Sequence, residues 1–144
     1  MITRFSGQYD FLSNFYPCKI LYEGIEYPST EHAYQAQKTL DNNIRKEIAS
    51  LSTPGESKRA GRNLTIRKDW NEVRVGVMYE LNLIKYSQSN DLKQKLLATG
   101  KVDLIEGNHW NDTFWGVCKG KGKNMLGKIL MSIRQLFQEK TVGP

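Results

Sequence analysis

Apolar residues recur along most of the chain at the three- and four-residue spacing of amphipathic helices. After Asp69, a natural helix cap, one stripe contains Trp70, Val73, Val77, Leu81 and Ile84. A second stripe begins near Asn124 and contains Leu126, Ile129, Leu130, Ile133 and Phe137. Both stripes predict long helices that bury one face.

Shorter helices are predicted from their end signals. Ser29 or Thr30 can cap a helix that runs to about Leu40, and Thr53-Pro54-Gly55-Glu56 forms a capping box for another. Further helices are expected from Asn43 to Leu51 and from Asn90 to Thr99, the latter closed by Gly100.

Strand signals are few. Cys18 to Tyr27 alternates as a hairpin, with Ile20 and Tyr22 on one arm, Ile25 and Tyr27 on the other, and Gly24 at the turn. A short strand is predicted over Lys101 to Glu106, followed by a polar and aromatic loop from Gly107 to Gly122. The predicted fold class is mainly α with a small β element, in one compact domain over residues 1–144.

Composition narrows the class of protein. With 39% hydrophobic and 25% charged residues over 144 positions, the chain fits a soluble globular protein. No apolar run approaches the ~20 residues that cross a bilayer, and none resembles a secretion signal, so we expect a cytoplasmic protein without membrane contact. Cys18 and Cys118 are expected as free thiols, and with His32 and His109 they offer no zinc spacing. Neither metal nor cofactor is predicted.

The net charge is +6, from 21 Lys and Arg against 15 Asp and Glu. Such a charge favours anionic partners, including nucleotides and nucleic acids, although solubility alone explains it equally well. A DNA-binding module would need a recognition helix with its cations on one face, and no such helix is found.

Glu31, Gln35 and Lys38 are four and then three residues apart, so on a helix they share one face. Glu31 falls in the first turn, where the helix dipole favours an ionised carboxylate suited to a base or to stabilising an oxocarbenium ion. From spacing alone, a solvated helix face is the better interpretation.

The loop from Gly107 to Gly116 is the most unusual stretch, because Asp112 lies among large aromatics, including Trp115. Burial beside those rings would suit Asp112 to proton transfer, whereas a turn aspartate would bind nearby backbone amides. Trp70 is either a core anchor or a stacking platform for a base or sugar.

The segment that opens the last helix is basic and glycine-rich. Lys119, Lys121, Lys123 and Asn124, together with Arg59 and Arg62, make a phosphate site plausible. The spacing is not that of a P-loop, and a flexible solvated loop is the alternative.

Several segments together resemble one family. They are Phe11-Leu12-Ser13-Asn14-Phe15-Tyr16-Pro17-Cys18, Ser29-Thr30-Glu31-His32-Ala33-Tyr34-Gln35-Ala36-Gln37-Lys38, Ala60-Gly61-Arg62, Arg67-Lys68-Asp69-Trp70, Val77-Met78, Leu97-Ala98-Thr99-Gly100, Asp112-Thr113-Phe114-Trp115-Gly116 and the run from Asn124 to Arg134. Nearly end to end and in order, they resemble the NADAR, or YbiA-like, family.

The resemblance implies a compact, mostly helical fold and a metal-independent N-glycosidase that cleaves the bond between a ribose anomeric carbon and nitrogen. One branch acts on phosphoribosylamino-pyrimidine intermediates of riboflavin synthesis. Another removes ADP-ribose from guanine in DNA or RNA and can pair with a DNA ADP-ribosyltransferase. Glu31, Asp112 and Lys38 carry over as catalytic candidates, and Trp70 as a substrate-binding one.

The chemistry of the residues agrees with this resemblance. Glu31 would stabilise positive charge at the anomeric carbon or activate water. Lys38 would either orient Glu31 and a phosphate, the preferred role, or attack the sugar as a neutral amine. Asn14, Gln35, Trp115 and Gly116 complete the substrate-binding candidates.

One stretch departs from the family pattern. Acidic residues commonly accompany the glycines after Trp-Gly, but here Val117-Cys118-Lys119-Gly120-Lys121 is basic. This favours a polyanionic substrate, and removal of ADP-ribose from guanine in nucleic acid is the leading hypothesis. Hydrolysis of the riboflavin intermediates is second, and a non-catalytic ADP-ribose-binding module is the rival from another class.

Overall fold

In the computed structural model, which describes residues 1–142, helices dominate and the strands are short. In chain order the elements are a 3-10 helix (Gly7–Leu12), β1 (Pro17–Tyr22), β2 (Ile25–Ser29), α1 (Thr30–Ala36), α2 (Asn42–Ala49), α3 (Pro54–Arg62), α4 (Trp70–Gln88), α5 (Asn90–Ala98), β3 (Gly107–Asn108), β4 (Val117–Cys118) and α6 (Met125–Val142). The predicted fold class, mainly α with a small β element, is confirmed.

The chain forms two compact units. One comprises Asn14–Lys85, and the other comprises Met1–Ser13 together with residues 86–142. A single domain over residues 1–144 stays a prediction.

In the unit Asn14–Lys85, β1 and β2 form the predicted antiparallel hairpin. Ile20 pairs with Tyr27 and Tyr22 with Ile25. Glu23 and Gly24 make the turn with positive φ angles of 49° and 81°, the geometry of a tight two-residue hairpin loop. Ile20 and Tyr27 are fully buried, so this sheet presents one face to the core.

Helix α1 begins as predicted and ends early. The Ser29 side chain accepts a hydrogen bond from the backbone amide of His32, and all seven residues of the helix are buried. The prediction that it reaches Leu40 is wrong. The Lys38 carbonyl accepts from the Arg67 amide at 2.8 Å instead of a later helical amide, so the chain leaves the helix here.

Helices α2 and α3 begin with side-chain caps. Asp41 caps α2 by accepting from the amides of Asn43 and Ile44. Thr53 caps α3 through the Glu56 amide at 3.1 Å. The expected return bond of the capping box is displaced by one residue, because the Glu56 carboxylate accepts from the Ser52 amide.

The buried face of α4 differs from the predicted stripe. Trp70 and Leu81 are buried, but Val73, Val77 and Ile84 are only half-buried. Within the unit Asn14–Lys85, the residues of α4 that are buried besides Trp70 and Leu81 are Met78, Asn82 and Lys85. The buried face of α4 therefore differs from the predicted apolar stripe, because it includes polar side chains as well.

In the other unit, α5 and α6 follow the predictions. Gly100 closes α5 in the left-handed conformation, with a φ of 69°. The apolar residues predicted for α6, namely Leu126, Ile129, Leu130, Ile133 and Phe137, are all buried. Arg134 is also buried and donates to the Thr99 hydroxyl at 2.9 Å and to the Val102 carbonyl at 2.8 Å. It thereby ties the end of α5 to α6.

The predicted strand over Lys101–Glu106 is wrong. Only Leu104 takes part in β pairing there, through an isolated parallel bridge to Ile2. The segment predicted as a loop contains β3 and β4, which pair in parallel through Gly107 with Val117 and Asn108 with Cys118.

Candidate functional site

A carboxylate and an amide are held together in the first turns of α1. The Gln35 Nε2 group donates to Glu31 Oε2 at 2.6 Å, and both side chains are buried. The predicted common face is confirmed, but the solvated-face interpretation is wrong, since burial withdraws this pair from water. The Glu31 amide also donates to the Asn14 carbonyl at 3.0 Å, which fixes the backbone beneath the carboxylate.

Gly61 of α3 lies close against the side-chain amide of Gln35. A Cβ atom at this position would lie 1.9 Å from Gln35 Oε1 and 2.7 Å from its Cδ. Such distances are impossible between non-bonded atoms, so only glycine lets α3 approach the amide this closely. The contact orients Gln35 and, through it, Glu31.

Lys38 lies just beyond α1 and is half-buried. Desolvation lowers the pKa of its ammonium group, the charges of Arg62 and Lys58 lower it further, and Glu31 opposes the shift. Burial thus favours the neutral amine, which is the nucleophilic form. Lys38 and Glu31 are electrostatically coupled, as their spacing predicts.

Trp70 is buried, and its ring centroid lies 5.1 Å from that of Tyr34 at an angle of 51°. This is the geometry of a core anchor, and it places Trp70 against α1. The neighbouring Asp69 pairs with Arg67 through bonds of 2.6 and 2.9 Å, and the Arg67 guanidinium lowers the pKa of this carboxyl group.

In the unit Asn14–Lys85, several buried side-chain oxygen atoms have no hydrogen-bond partner within the described residues. They are Asn14 Oδ1, Thr30 Oγ1, Gln35 Oε1 and Asn82 Oδ1. Asn14 was predicted from the sequence, whereas Thr30 and Asn82 were missed. Thr30 directly precedes Glu31. Asn82 is a polar residue within the apolar stripe of α4, and this interruption is a signal that sequence reasoning could have used.

Two predicted phosphate contacts lie on α3. Arg59 and Arg62 are both exposed in its last turn. Arg62 is close enough to influence Lys38, and no such coupling connects Arg59 to it.

Asp112 belongs to the other unit and has the geometry of a turn aspartate. It is half-buried, and its Oδ1 accepts from the amides of Phe114 at 3.1 Å and Trp115 at 2.9 Å. Trp115 packs edge-on against Phe114 with centroids 4.8 Å apart. A Cβ on Gly116 would lie 1.7 Å from the Glu106 carboxylate, so Gly116 permits a close crossing of the chain.

The Asn124 side chain, predicted to contact phosphate, forms hydrogen bonds with backbone groups. Its amide nitrogen donates to the Leu104 carbonyl at 2.9 Å, and its oxygen accepts from the Glu106 amide at 3.0 Å. Both polar ends of the side chain are therefore engaged. Lys119, Lys121 and Lys123 are exposed, as expected for a basic loop.

Two findings concern the class of protein. Within residues 1–142, no cluster of three or more His, Cys, Asp or Glu side chains has the arrangement of a metal site. No helix in this part of the chain has both the length and the apolar character needed to cross a membrane.

Comparisons with known proteins agree with this architecture. A family described as "NADAR domain" matches residues 3–138. N-glycosidase YbiA of Shigella boydii is 42% identical over 139 residues, covering 94% of this chain and 86% of the relative. The NMR structure of the E. coli protein YbiA superposes with a TM-score of 0.84 at 38% identity, covering all of this chain and 91% of that one.

A further relative, riboflavin biosynthesis protein VVA0006 of Vibrio vulnificus, is 41% identical over 132 residues. This match covers 90% of the present chain but only 36% of the relative, so the chain spans about a third of that longer protein. Since the family match extends over nearly the whole sequence and the YbiA relatives match over most of their own length, the chain belongs to the NADAR domain family.

Proposed function

We propose that this chain is an N-glycosidase that hydrolyses the bond between a ribose anomeric carbon and nitrogen. Membership of the NADAR family and relatives named N-glycosidase support the reaction class. The observation that carries the proposal is the buried Glu31–Gln35 pair, with the desolvated Lys38 electrostatically coupled to it.

The pair suits the charge that this reaction develops. Breaking an N-ribosyl bond leaves positive charge on the anomeric carbon, as in glycoside hydrolysis. A carboxylate already fixed by a hydrogen bond stabilises that charge without reorganising. Glu31, held at 2.6 Å by Gln35, fits this role.

Burial lowers the pKa of Lys38, which supports a nucleophilic role beside the orienting role preferred from sequence. Its neutral amine attacks the anomeric carbon, and the carbon–nitrogen bond breaks with its electron pair going to the departing nitrogen, which is protonated. Ring opening gives a protonated imine. Water then adds to that carbon, and the amine leaves to give the free sugar.

Borohydride trapping tests this step. Reduction during turnover should attach the sugar covalently to Lys38, detectable as a mass increment on its tryptic peptide. Lys38→Arg, which keeps the charge but cannot form the imine, should give no adduct. Efficient turnover without any adduct would return Lys38 to the orienting role.

The leading substrate is ADP-ribose linked to guanine in nucleic acid. The net charge of +6 and the exposed lysines at 119, 121 and 123 favour a polyanion. Arg62, exposed and near Lys38, is suited to a phosphate of the ADP-ribosyl group. A DNA ADP-ribosyltransferase would then be the functional counterpart.

A second substrate class is supported by the names of relatives. Both the Vibrio vulnificus protein and a Zea mays relative, 36% identical over 121 residues, are named riboflavin biosynthesis proteins. Phosphoribosylamino-pyrimidines contain the same ribose–nitrogen bond, so the same carboxylate and amine could act on them.

Incubation with each substrate separates these possibilities. The purified protein should release ADP-ribose from an ADP-ribosylated guanine oligonucleotide and leave the unmodified strand, both measured by chromatography. Release from phosphoribosylamino-pyrimidines alone would overturn the substrate assignment. If Glu31→Ala keeps turnover while binding weakens, the catalytic role of Glu31 is wrong. Binding of ADP-ribose without turnover of any substrate would identify a non-catalytic module.

A further inference from the structure

The parallel pairing of β3 with β4 brings two distant loops to one edge. Because the strands run in the same direction, the segments that follow them leave at the same end of the pair. His109 and Trp110 follow β3, whereas Lys119, Gly120 and Lys121 follow β4. We call His109, Trp110, Lys119 and Lys121 the basic–aromatic edge.

The turn after β4 is well defined. The amides and carbonyls of Cys118 and Lys121 exchange hydrogen bonds of 2.8 and 3.0 Å. Between them, Lys119 and Gly120 have positive φ angles of 53° and 75°, as in a tight two-residue hairpin turn. The lysines therefore start from a fixed backbone.

The loop after β3 is fixed by Asn108. Its side-chain oxygen accepts from the amides of Trp110 at 3.3 Å and Asp112 at 3.1 Å, and its nitrogen donates to the Asp112 carbonyl at 2.9 Å. Asn111 Oδ1 lies 3.8 Å from Cys118 Sγ, a weak contact that connects this loop to the turn after β4.

An exposed indole is the unusual feature of this edge. The Trp110 side chain is 51% exposed, and its ring lies edge-on to His109 with centroids 5.1 Å apart. A large flat ring left in water is suited to stacking against another flat group. Nucleobases of a single strand provide such groups, whereas bases of an intact duplex are already stacked.

The surrounding charge is positive. From Gly107 to Lys128 the sequence contains four lysines, at 119, 121, 123 and 128, and a single acid, Asp112. All four lysines are exposed, and the Lys123 ammonium lies 5.7 Å from the Phe114 ring centroid. The next acid towards the N-terminus, Glu106, accepts from the Asn108 side chain at 3.1 Å. Within its own unit, the segment around Trp110 thus has an excess of positive charge.

We propose that the basic–aromatic edge binds single-stranded nucleic acid, with one base stacked on Trp110 and backbone phosphates on Lys119 and Lys121. The inference rests on the proposed function and deepens it, because it names a surface that recognises the nucleic-acid part of the proposed substrate. It predicts affinity for unmodified strands as well.

The test is fluorescence anisotropy of the intact protein with an unmodified, labelled 12-nucleotide single strand. Trp110→Ala should weaken binding about tenfold, since stacking on an aromatic ring contributes strongly, and Trp110→Phe should restore much of it. With two phosphate contacts, the slope of log affinity against log salt should be about −1.4, and Lys119→Ala should reduce its magnitude by about 0.7.

Matched controls are exposed residues that do not belong to the basic–aromatic edge. Lys101→Ala removes an equal charge and Leu21→Ala an exposed apolar side chain, and both should bind as the unaltered protein does. Unchanged affinity in Trp110→Ala and in Lys119→Ala/Lys121→Ala would overturn the proposal. So would displacement of the strand by poly-glutamate without any effect of Trp110, which would indicate an acidic protein partner.

The outcome is separable from that of the N-glycosidase proposal. Binding of an unmodified strand needs no turnover, so it can succeed when catalysis fails. Conversely, if ADP-ribosylated guanosine is cleaved while the edge variants bind strands normally, the catalytic proposal stands and the edge is not the nucleic-acid surface.

Discussion

Gly61 illustrates how much depends on one absent methyl group. Because Gly61 has no Cβ, the Gln35 amide lies close against it, and that amide donates a hydrogen bond to Glu31. Gly61→Ala should displace Gln35 and lower kcat about tenfold or more, because a hydrogen bond to a charged group is lost. Steady-state kinetics on the cleaved substrate measures the effect.

Gly76 provides the control for this substitution. It lies within α4, and a Cβ added there meets nothing within 4 Å. Gly76→Ala should leave kcat unchanged and raise stability by about 0.5–1 kcal/mol through helix propensity. Gln35→Met, which keeps the volume but removes the amide, should resemble Gly61→Ala. Normal turnover in both Gly61→Ala and Gln35→Met would exclude a positioning role for Gln35.

His32 makes a prediction about pH. It is buried between the Ser29 hydroxyl at 2.7 Å and the Leu51 carbonyl at 3.0 Å, and desolvation lowers its pKa below the ordinary 6.5. The folded state therefore binds protons less readily than the unfolded state, so the free energy of unfolding should fall as the pH drops below 6.5.

Chemical denaturation from pH 8 to pH 5 measures this dependence. His32→Gln stays neutral throughout, so the difference in stability between the two proteins should shrink as the pH falls. A constant difference across this range would mean that His32 titrates alike in the folded and unfolded states.

At this scale the sequence was informative where contacts are local. The spacing of Glu31 and Gln35 sufficed to place them on one face of α1, whereas Lys38 lies beyond the end of the helix. The desolvation of Lys38 depends on charges and packing from α3, which no local pattern encodes. Asn124 was misread for the same reason, since its partners Leu104 and Glu106 are about 20 residues away.

At the scale of elements, helix α4 shows why a purely apolar stripe was insufficient. Its inner face includes Lys85, which is fully buried with its ammonium 5.7 Å from the Tyr16 ring centroid. It also includes Asn82, which donates to the Met78 carbonyl at 3.1 Å. Partners of this kind let polar groups enter a core, and an apolar count alone cannot anticipate them.

The strand predicted over residues 101–106 failed for a different reason. Alternation indicates that a segment is compatible with β structure, but a ladder also needs a partner strand. Here the partner is Ile2, which is far away in the sequence and forms one isolated bridge, with Leu104. Pairing over one residue gives no strand.

Arg134 provides a test of how α5 and α6 are joined. Its guanidinium bonds the Thr99 hydroxyl and the Val102 carbonyl from a buried position. Arg134→Met should keep the packing of its stem but leave the Val102 carbonyl without this donor, at a cost of about 2–3 kcal/mol. Urea denaturation would measure it, with exposed Lys128→Met as the control. Equal stability of both variants would contradict this account.

At the scale of the whole molecule, the net charge of +6 should make the kcat/KM for an anionic substrate depend on salt concentration. Turnover of an ADP-ribosylated oligonucleotide should fall steeply between 50 and 200 mM salt through kcat/KM, because bound phosphates release counterions. Turnover of ADP-ribosylated guanosine, which has no flanking strand, should change less. Equal salt dependence for the two substrates would show that the strand contributes no contacts of its own.

The central claim is that Glu31 serves the cleavage of a ribose–nitrogen bond, and one comparison tests it most directly. The protein and Glu31→Gln are incubated with ADP-ribosylated guanine oligonucleotide and with phosphoribosylamino-pyrimidine, and the freed sugar, ADP-ribose or ribose phosphate, is quantified. The unaltered protein should release ADP-ribose from the first substrate, and Glu31→Gln should be slower by about a hundredfold or more while still folded. Release by Glu31→Gln at the full rate, or no release from either substrate, would contradict the claim.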